Sequence, residues 1–354
     1  MGKTVMPEYC IGLSDPSSPY PTTRNPWDPS KWPGGSSSGS GAGVAAGMFL
    51  GALGTDTGGS VRIPAAFCGV TGLKQTYGLV PKSGCLPYGV TLDIIGPMTR
   101  SAADAAVMLS VMAGYEPSDL SMSPNVGTSD FRAALDGDIR GMRIGVDRAN
   151  HLLNGSDPLL ATRLDEACSA LTDAGAALVE VELPLFEELT TACVVTMVTD
   201  AFAFHRNWMT ERWTDYGGSM RASVGIGATF TAADYAQAQK VRRIGANRLA
   251  ALLEDVDLLA VPTVAIGAPT LDGLTRETMP VQMLYTLYWN AVGCPTIAVP
   301  MGLGDAGLPL SLSIAGKPFA DDMVLKAADA FQRQTTHHLL APPTVASVSA
   351  KPEG

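Results

Sequence analysis

Two short segments rich in glycine and serine are the part of this chain best suited to nucleophilic chemistry. They are 33–40, PGGSSSGS, and 54–64, GTDTGGSVRIP, and they place Ser36 and Ser60 on either side of a short apolar stretch. A serine hydroxyl attacks a carbonyl only when a base takes its proton, and the resulting oxyanion needs hydrogen-bond donors. Glycine allows backbone N–H groups to approach closely enough to be those donors. The two segments therefore predict a serine nucleophile beside an oxyanion hole.

Two shorter motifs in the same region fit other functions less well. Residues 35–39 match the nucleophile elbow G-x-S-x-G, and 41–46 match a relaxed dinucleotide-binding fingerprint, G-x-G-x-x-A. Both motifs require a strand directly before them, and the preceding residues 27–33, WDPSKWP, cannot form a central strand. Each motif taken alone is also typical of tight backbone packing without any chemistry.

Composition limits the classes of partner. The chain has 354 residues, of which 46% are hydrophobic and 16% charged, with a net charge of −10. These values suit one large domain or two ordinary ones, with a sizeable core. The tail over 341–354 is rich in Pro, Ala and Ser and is expected to be flexible. An acidic chain without clustered lysine and arginine is not expected to bind nucleic acid directly.

The sequence also carries information on the cellular compartment, on membrane spans and on cofactors. The six cysteines form no C-x-x-C pair, which predicts free thiols in a reducing, cytoplasmic compartment. Residues 32–55 carry no charge, but their glycine and serine content argues against a membrane span. No residue spacing resembles a metal site, so neither a metal nor another cofactor is expected.

Strands and helices alternate along the chain. Strands are predicted at 48–53 (buried), 142–146, 177–181, 258–262, 296–300 and 310–315. Helices are predicted at 38–47, 101–113, 156–173, 231–253 and 321–334, with the one at 231–253 the longest. This alternation predicts an α/β fold with a mixed, largely parallel central sheet covered by helices.

A longer pattern joins the two Gly/Ser segments to the rest of the chain. It consists of 34–39, 54–65, 68–74, Asp93, 96–101, Asn290, 293–295, 307–309 and 316–319. In composition and order this pattern resembles the signature of the amidase signature family. The resemblance covers most of the chain. It implies a single domain with the amidase signature fold over 1–340, incomplete at its N-terminus. It also implies the hydrolysis of a small-molecule carboxylic acid amide through an acyl-enzyme.

The resemblance also implies roles for individual residues. Ser60 matches the family's nucleophile, and Ser36 matches a bridging serine that the family holds through a cis peptide bond. The backbone N–H groups of Thr57, Gly58 and Gly59 match the oxyanion hole.

Three further residues are expected to support the site. Asp56 and Arg62 flank the nucleophile within an otherwise apolar stretch. Because charges are rarely buried without a partner, we expect them to hold the loop by hydrogen bonds or an ion pair. Ser37, next to Ser36, is assigned the same supporting role.

The sequence differs from the family pattern in the base that activates the serines. The family places a lysine base on a strand upstream of the Gly/Ser segments, and residues 2–4 match a later family segment, so Lys3 is not that lysine. The nearest other lysines, Lys74 and Lys82, do not match the family's base. No S-x-x-K pattern occurs, and no family position matches the four histidines, His151, His205, His337 and His338. A Ser–His arrangement stays open, because triad members need not be neighbours in sequence.

Several expectations follow from a missing base and a domain incomplete at its N-terminus. Amide hydrolysis would be impaired. Alternatives are an amidotransferase A-type subunit, which delivers ammonia to an acyl group on transfer RNA, and an inactive binding or assembly module. An uncovered sheet edge would favour homo-oligomers or a partner chain that covers the gap.

Overall fold

A single β-sheet forms the centre of the fold. The computed structural model describes residues 2–10, 18–123, 130–275 and 278–343. The predicted tail, 341–354, lies outside the described residues from 344 onward. The described strands are β1 (Gly51–Asp56), β2 (Thr71–Lys74), β3 (Ile94–Thr99), β4 (Arg143–Val146), β5 (Ala177–Glu180), β6 (Leu258–Pro262), β7 (Thr296–Leu303) and β8 (Pro309–Gly316). They form one eight-stranded sheet in the order β1-β3-β2-β7-β8-β6-β4-β5.

The strand directions confirm a mixed sheet but correct the expected proportion of parallel to antiparallel pairs. Strand β4 pairs in parallel with β5 and β6, whereas every other pairing among the described strands is antiparallel. The expectation of a largely parallel sheet was therefore wrong. Alternating helices and strands suggest crossovers, which parallel pairs require, but they do not fix where each new strand inserts.

The helices cover both faces of the sheet. Those described are α1 (Ser38–Ala45), α2 (Arg62–Cys68), α3 (Ala102–Met112), α4 (Leu160–Asp173), α5 (Phe186–Glu211), α6 (Gly218–Gly225), α7 (Ala232–Asp255), α8 (Met279–Val292) and α9 (Asp321–Gln334). On β6, Leu258 packs in one core with α3, α4 and α9, while the next residue, Leu259, packs in another with α5, α7 and α8. Successive side chains of a strand point to opposite faces, so these two cores lie on opposite sides of the sheet.

Two of the described helices, α3 and α7, begin at side-chain caps, and the longest described helix is not the one expected. Ser101 and Thr231 accept hydrogen bonds from backbone N–H groups three residues on and begin α3 and α7, as predicted. The longest described helix, however, is α5 with 26 residues and not α7 with 24. Residues 190–199, TTACVVTMVT, are rich in β-branched side chains that favour strands. Packing of α5 against α7 and α8 overrides that preference.

The strand predicted as buried at 48–53 is displaced and lies at an edge. The observed strand is β1, and it pairs only with β3 among the described strands. Met48 is 76% exposed, Leu50 94% and Leu53 52%. The apolar run predicted burial because composition alone does not reveal whether a further strand covers it. Self-association through this edge stays a prediction. In the described residues, no helix is both long and apolar enough to cross a membrane.

Candidate active site

The loop between β1 and α2 carries Ser60. Gly59 has φ 129°, and a Cβ added there would lie 2.2 Å from the Thr286 hydroxyl oxygen, so only glycine fits. The peptide between Gly58 and Gly59 is held on both sides. Its carbonyl accepts a hydrogen bond from Thr286 Oγ1 at 2.7 Å, and its N–H donates to Asp56 Oδ1 at 2.8 Å. These two bonds fix the loop that presents Ser60.

Behind the loop, Asp56 and Arg62 form a fully buried ion pair of the kind expected to hold the loop. Arg62 Nε lies 2.9 Å from Asp56 Oδ2, and Nη2 lies 3.0 Å from Oδ1, so the contact is bidentate. Burial opposes ionisation of Asp56. The charge of Arg62 and hydrogen bonds from Arg62 and Asn290 outweigh that effect and lower the pKa of Asp56 to about 2. The pair is therefore ionised at neutral pH.

Helix α8 completes this network through two polar side chains. Asn290 donates to Asp56 Oδ1 at 2.9 Å and accepts from Arg62 Nη2 at 2.6 Å. Thr286 donates its hydroxyl to Gly58 O, and its own carbonyl accepts from Arg62 Nη1. The sequence analysis singled out Asn290 only within a family pattern and missed Thr286. Their spacing of four residues on a helix, which puts them on one face, was the available signal.

The second serine segment lies directly against the first. The peptide bond between Gly35 and Ser36 is cis, the geometry that the family resemblance implies. Ser37 N–H donates to Ser60 O at 3.2 Å, and Ser37 Oγ bonds to both the carbonyl and the N–H of Thr55. Ser37 thus joins the loop of Ser36 to β1 and to Ser60.

The hydroxyl of Ser36 is the exception in this well-bonded region. The residue is 4% exposed, and its Oγ has no hydrogen-bond partner among the described residues. A buried hydroxyl without a partner costs free energy, and such groups are rare in folded proteins. Ser36 and Ser60 line the same cavity, so this hydroxyl is available for a reacting group rather than for the scaffold.

The predicted oxyanion donors differ in their availability. The Gly59 N–H is engaged by Asp56, because the peptide it belongs to is fixed from behind. Within the described residues, the N–H groups of Thr57 and Gly58 have no acceptor. The Thr57 hydroxyl donates to Asp93 Oδ1, and Asp93 also accepts the N–H groups of Tyr88 and Gly89. Asp93, which the sequence analysis assigned no role, thereby positions Thr57.

The lysines considered as bases make other contacts. Lys74 is buried, and its Nζ donates to Gln75 O at 3.4 Å. Burial, with the nearby charge of Arg62, lowers the pKa of Lys74 to about 8. Lys82 Nζ donates to the carbonyls of Val90 and Asp93. Neither ammonium is bonded to Ser36 or Ser60.

None of the four histidines is hydrogen-bonded to Ser36 or Ser60 in the described part of the chain. His151 packs between Phe186 and Tyr285, and its Nδ1 is 3.7 Å from Asp147; burial lowers its pKa. His205 shares a hydrogen bond with the Tyr216 hydroxyl. His337 and His338 lie in a short 3₁₀ helix, His337–Leu339, near the end of the described chain. Over the described ranges, no group of three His, Cys, Asp or Glu side chains is placed to hold a metal ion.

The cavity in front of Ser60 has a volume of about 210 Å³. Ser36, Ser60, Thr57 and Gly58 lie on one wall, and side chains of α5, α6 and α8 form the others. A carbonyl placed there would meet a hydroxyl nucleophile, a second hydroxyl and backbone donors. This arrangement suits acyl transfer.

Comparisons with known proteins agree with that chemistry. The family model described as Amidase matches residues 1–325. The chain is 38% identical to the A-type subunit of Glutamyl-tRNA(Gln) amidotransferase from Chloroflexus aurantiacus, over 97% of this chain and 75% of that protein. Among solved structures, it resembles a 6-aminohexanoate cyclic dimer hydrolase with a TM-score of 0.86 at 26% identity, over 98% of this chain and 77% of that one. It also resembles a bacterial aryl acylamidase of the amidase signature family with a TM-score of 0.83 at 27% identity, over 97% and 73% of the two chains.

Proposed function

The chain belongs to the amidase signature family, whose members hydrolyse amides, and we propose that it does so through an acyl-enzyme on Ser60. Ser60 Oγ attacks the amide carbonyl carbon and passes its proton towards Ser36 Oγ. The oxyanion that forms is stabilised by the N–H groups of Thr57 and Gly58. The C–N bond breaks as the amine leaves with a proton, and water then hydrolyses the ester to release the acid and restore Ser60.

One observation carries this proposal: the buried hydroxyl of Ser36 has no partner among the described residues and faces the same cavity as Ser60. A purely structural serine would use its hydroxyl in the scaffold, as Ser37 and Ser38 do. The Ser37 N–H to Ser60 O bond holds the two serine segments side by side. This placement allows a proton to move between the two hydroxyls.

The described residues supply no base that would take this proton from Ser36. The family resemblance assigns a lysine to the role, and none of the described lysines or histidines hydrogen-bonds to Ser36 Oγ. We therefore expect this chain alone to hydrolyse amides well below the usual enzymatic range of about 1–10³ s⁻¹. Oxyanion stabilisation and binding would still leave catalysis above the rate in water.

The experiment that tests the role of Ser60 is covalent labelling combined with ammonia release. The chain is treated with phenylmethanesulfonyl fluoride, and the adduct is located by mass spectrometry. Ammonia release from hexanamide is measured in parallel. We expect label at Ser60 and loss of both label and hydrolysis in Ser60→Ala, because the proposed acyl-enzyme forms on Ser60.

Ser169→Ala is the matched control, since Ser169 is exposed on α4 and bonds only to its own helix. It should behave as the unmodified chain. Label or hydrolysis that persists in Ser60→Ala would remove Ser60 from the mechanism. Hydrolysis at ordinary enzyme rates would show that an effective base is present.

A second candidate is an amidotransferase A-type subunit that works with a partner chain. The 38% identity to such a subunit of Glutamyl-tRNA(Gln) amidotransferase favours it. A chain with this role would have to accept an amide that carries charged groups, such as glutamine. Ammonia release from glutamine in preference to uncharged amides would support this candidate over the first.

A further inference from the structure

The walls of the cavity in front of Ser60 are apolar. Two helices supply most of them, through Val194, Met197 and Val198 of α5 and Met279, Met283 and Leu287 of α8. Trp32 and Ile63 lie nearer the serines. Among the described residues that line the cavity, none has a charged side chain. The polar side chains that line the cavity are all uncharged: the hydroxyls of Thr57, Tyr88 and four serines, the Cys10 thiol and the Trp32 indole.

The apolar wall begins directly at the oxyanion loop. A Cβ added to Gly58 would lie 2.8 Å from Met283 Cε, 3.0 Å from Leu287 Cδ2 and 3.4 Å from Met197 Sδ. Gly58 is also one of the proposed oxyanion donors. An acyl group whose carbonyl oxygen is bound there must therefore direct its chain along these side chains.

The charged side chains close to the cavity already have ion-pair or hydrogen-bond partners within the protein. Asp56 and Arg62 neutralise each other behind the loop. Asp93 accepts three hydrogen bonds from Thr57 and from the backbone. Asp200, farther along α5, accepts from Thr91 and from the Tyr235 hydroxyl. None of these groups is directed at a ligand in the cavity.

Because the cavity is lined by apolar side chains and the nearby charges already have partners, we infer that the acyl part of the substrate is uncharged and apolar, an alkyl or arylalkyl chain. The inference rests on the proposed function, since it describes the acyl group attached to Ser60. A cavity of about 150 Å³ lined by apolar residues holds a benzene ring. The 210 Å³ here accommodates a ring or a chain of about six carbons.

The same walls disfavour amino-acid amides. Glutamine carries an ammonium and a carboxylate, and each loses its hydration on entering such a cavity. Desolvating a charge without a partner is far more costly than burying a methylene is favourable. We therefore expect glutamine to bind weakly in this cavity.

The test measures equilibrium binding, so that it does not depend on turnover. Isothermal titration calorimetry on full-length Ser60→Ala protein compares propanamide, butanamide, pentanamide and hexanamide with three charged amides of similar length. These are 5-aminopentanamide, glutaramic acid and glutamine. We expect affinity to rise about fourfold per methylene along the neutral series, which corresponds to about 0.8 kcal/mol. The charged amides should bind about 100-fold more weakly than hexanamide, or more weakly still.

A cavity variant and its control locate the binding. Met283→Ala enlarges the cavity beside Gly58, since the side chain loses three heavy atoms. With heptanamide and octanamide added to the series, the optimal chain length should move about two methylenes upward in this variant. Met48→Ala removes an equal side chain from an exposed position and should leave the series unchanged.

The outcomes separate the two proposals. Equal or tighter binding of glutamine or glutaramic acid, or no rise along the neutral series, would overturn the apolar acyl assignment. A neutral series that rises as expected, with no amide hydrolysed and Ser60 unlabelled in the unmodified chain, would support an apolar binding site in this cavity and reject the acyl-enzyme on Ser60.

Discussion

The two sides of the nucleophile loop differ in how completely their polar groups are satisfied. Behind it, the Asp56 carboxylate accepts five hydrogen bonds, from Gly59, Val61, Asn290 and two nitrogens of Arg62. In front of it, the Ser36 hydroxyl has no partner within the described chain, and the cavity walls are apolar. The saturated side provides rigidity, and the unsatisfied side is free to act on a substrate.

This division keeps formal charge away from the reaction. A buried ion pair is tolerated only when further hydrogen bonds complete it, as Thr286 and Asn290 do here. The groups that remain for chemistry are hydroxyls and backbone N–H groups. They can stabilise a developing oxyanion without attracting water or a counter-ion into an apolar cavity.

Removing the unsatisfied hydroxyl should give the largest effect on activity and almost none on stability. We expect Ser36→Ala to lower residual amide hydrolysis about 10²–10⁴-fold, the usual value of a proton-transfer group. Its free energy of unfolding should stay constant or rise slightly, because no hydrogen bond is lost. Initial rates and urea unfolding measure the two quantities.

Ser38→Ala is the matched control, because Ser38 is equally buried but donates to Gly34 O at 2.7 Å. It should lose about 1 kcal/mol of stability. If Ser36→Ala retained full activity, or lost as much stability as Ser38→Ala, the contrast between the two sides of the loop would fail.

Disrupting the hydrogen-bonded Asp56–Arg62 pair behind the nucleophile loop should mainly reduce stability. Arg62→Met leaves the Asp56 carboxylate buried without its cation, which typically costs about 3–5 kcal/mol. Replacing both partners, Asp56→Asn with Arg62→Met, should cost less than the single change, because no charge is left uncompensated and an amide oxygen still accepts from Gly59 and Asn290. Urea unfolding of the three proteins measures the difference.

The exposed pair of Arg140 and Asp138 provides a control. Arg140→Met should leave the urea midpoint unchanged, because surface ion pairs contribute little. A double variant less stable than Arg62→Met would show that the charges themselves stabilise the loop.

A pH-dependent effect concerns Lys74, whose pKa is lowered to about 8 from an ordinary value of 10.5. Between these values the folded protein binds fewer protons than the unfolded chain, so this residue makes the free energy of unfolding rise with pH. The rise is at most about 3 kcal/mol. Below pH 8 it contributes no slope.

Comparing the unmodified chain with Lys74→Met from pH 7 to 10.5 isolates this slope from that of cysteines and tyrosines. Lys326→Met, which removes a lysine bonded to the exposed Asp136, is the control and should keep the slope. The same slope in Lys74→Met would mean that Lys74 is not the buried cation responsible.

Features encoded by neighbouring residues were predictable. The strand Leu258–Pro262 and the helix Asp321–Gln334 lie where the sequence analysis places them. Ser101 and Thr231 begin their helices because a capping side chain acts on N–H groups only three residues away. The Gly/Ser segments pointed to the loop that lines the cavity because Gly59 needs a backbone geometry that other residues avoid.

Features that depend on distant residues were not predictable. Strand directions, the edge position of β1 and the length of α5 follow from which elements pack together, and local patterns misjudged all three. The peptide between Gly58 and Gly59 is turned inward by Thr286, so the Gly59 N–H is engaged by Asp56, against expectation.

By itself, the sequence determined the family, the α/β class and the two serine segments that line the cavity. Only the tertiary structure decided which polar groups are satisfied, because Arg62 and Asn290 meet across 228 residues of chain. It also decided that the cavity is apolar, since α5 and α8 converge on Ser60 from separate parts of the chain. Short-range preferences act between neighbours, whereas satisfaction of buried polar groups and the character of a cavity depend on every element packed around them.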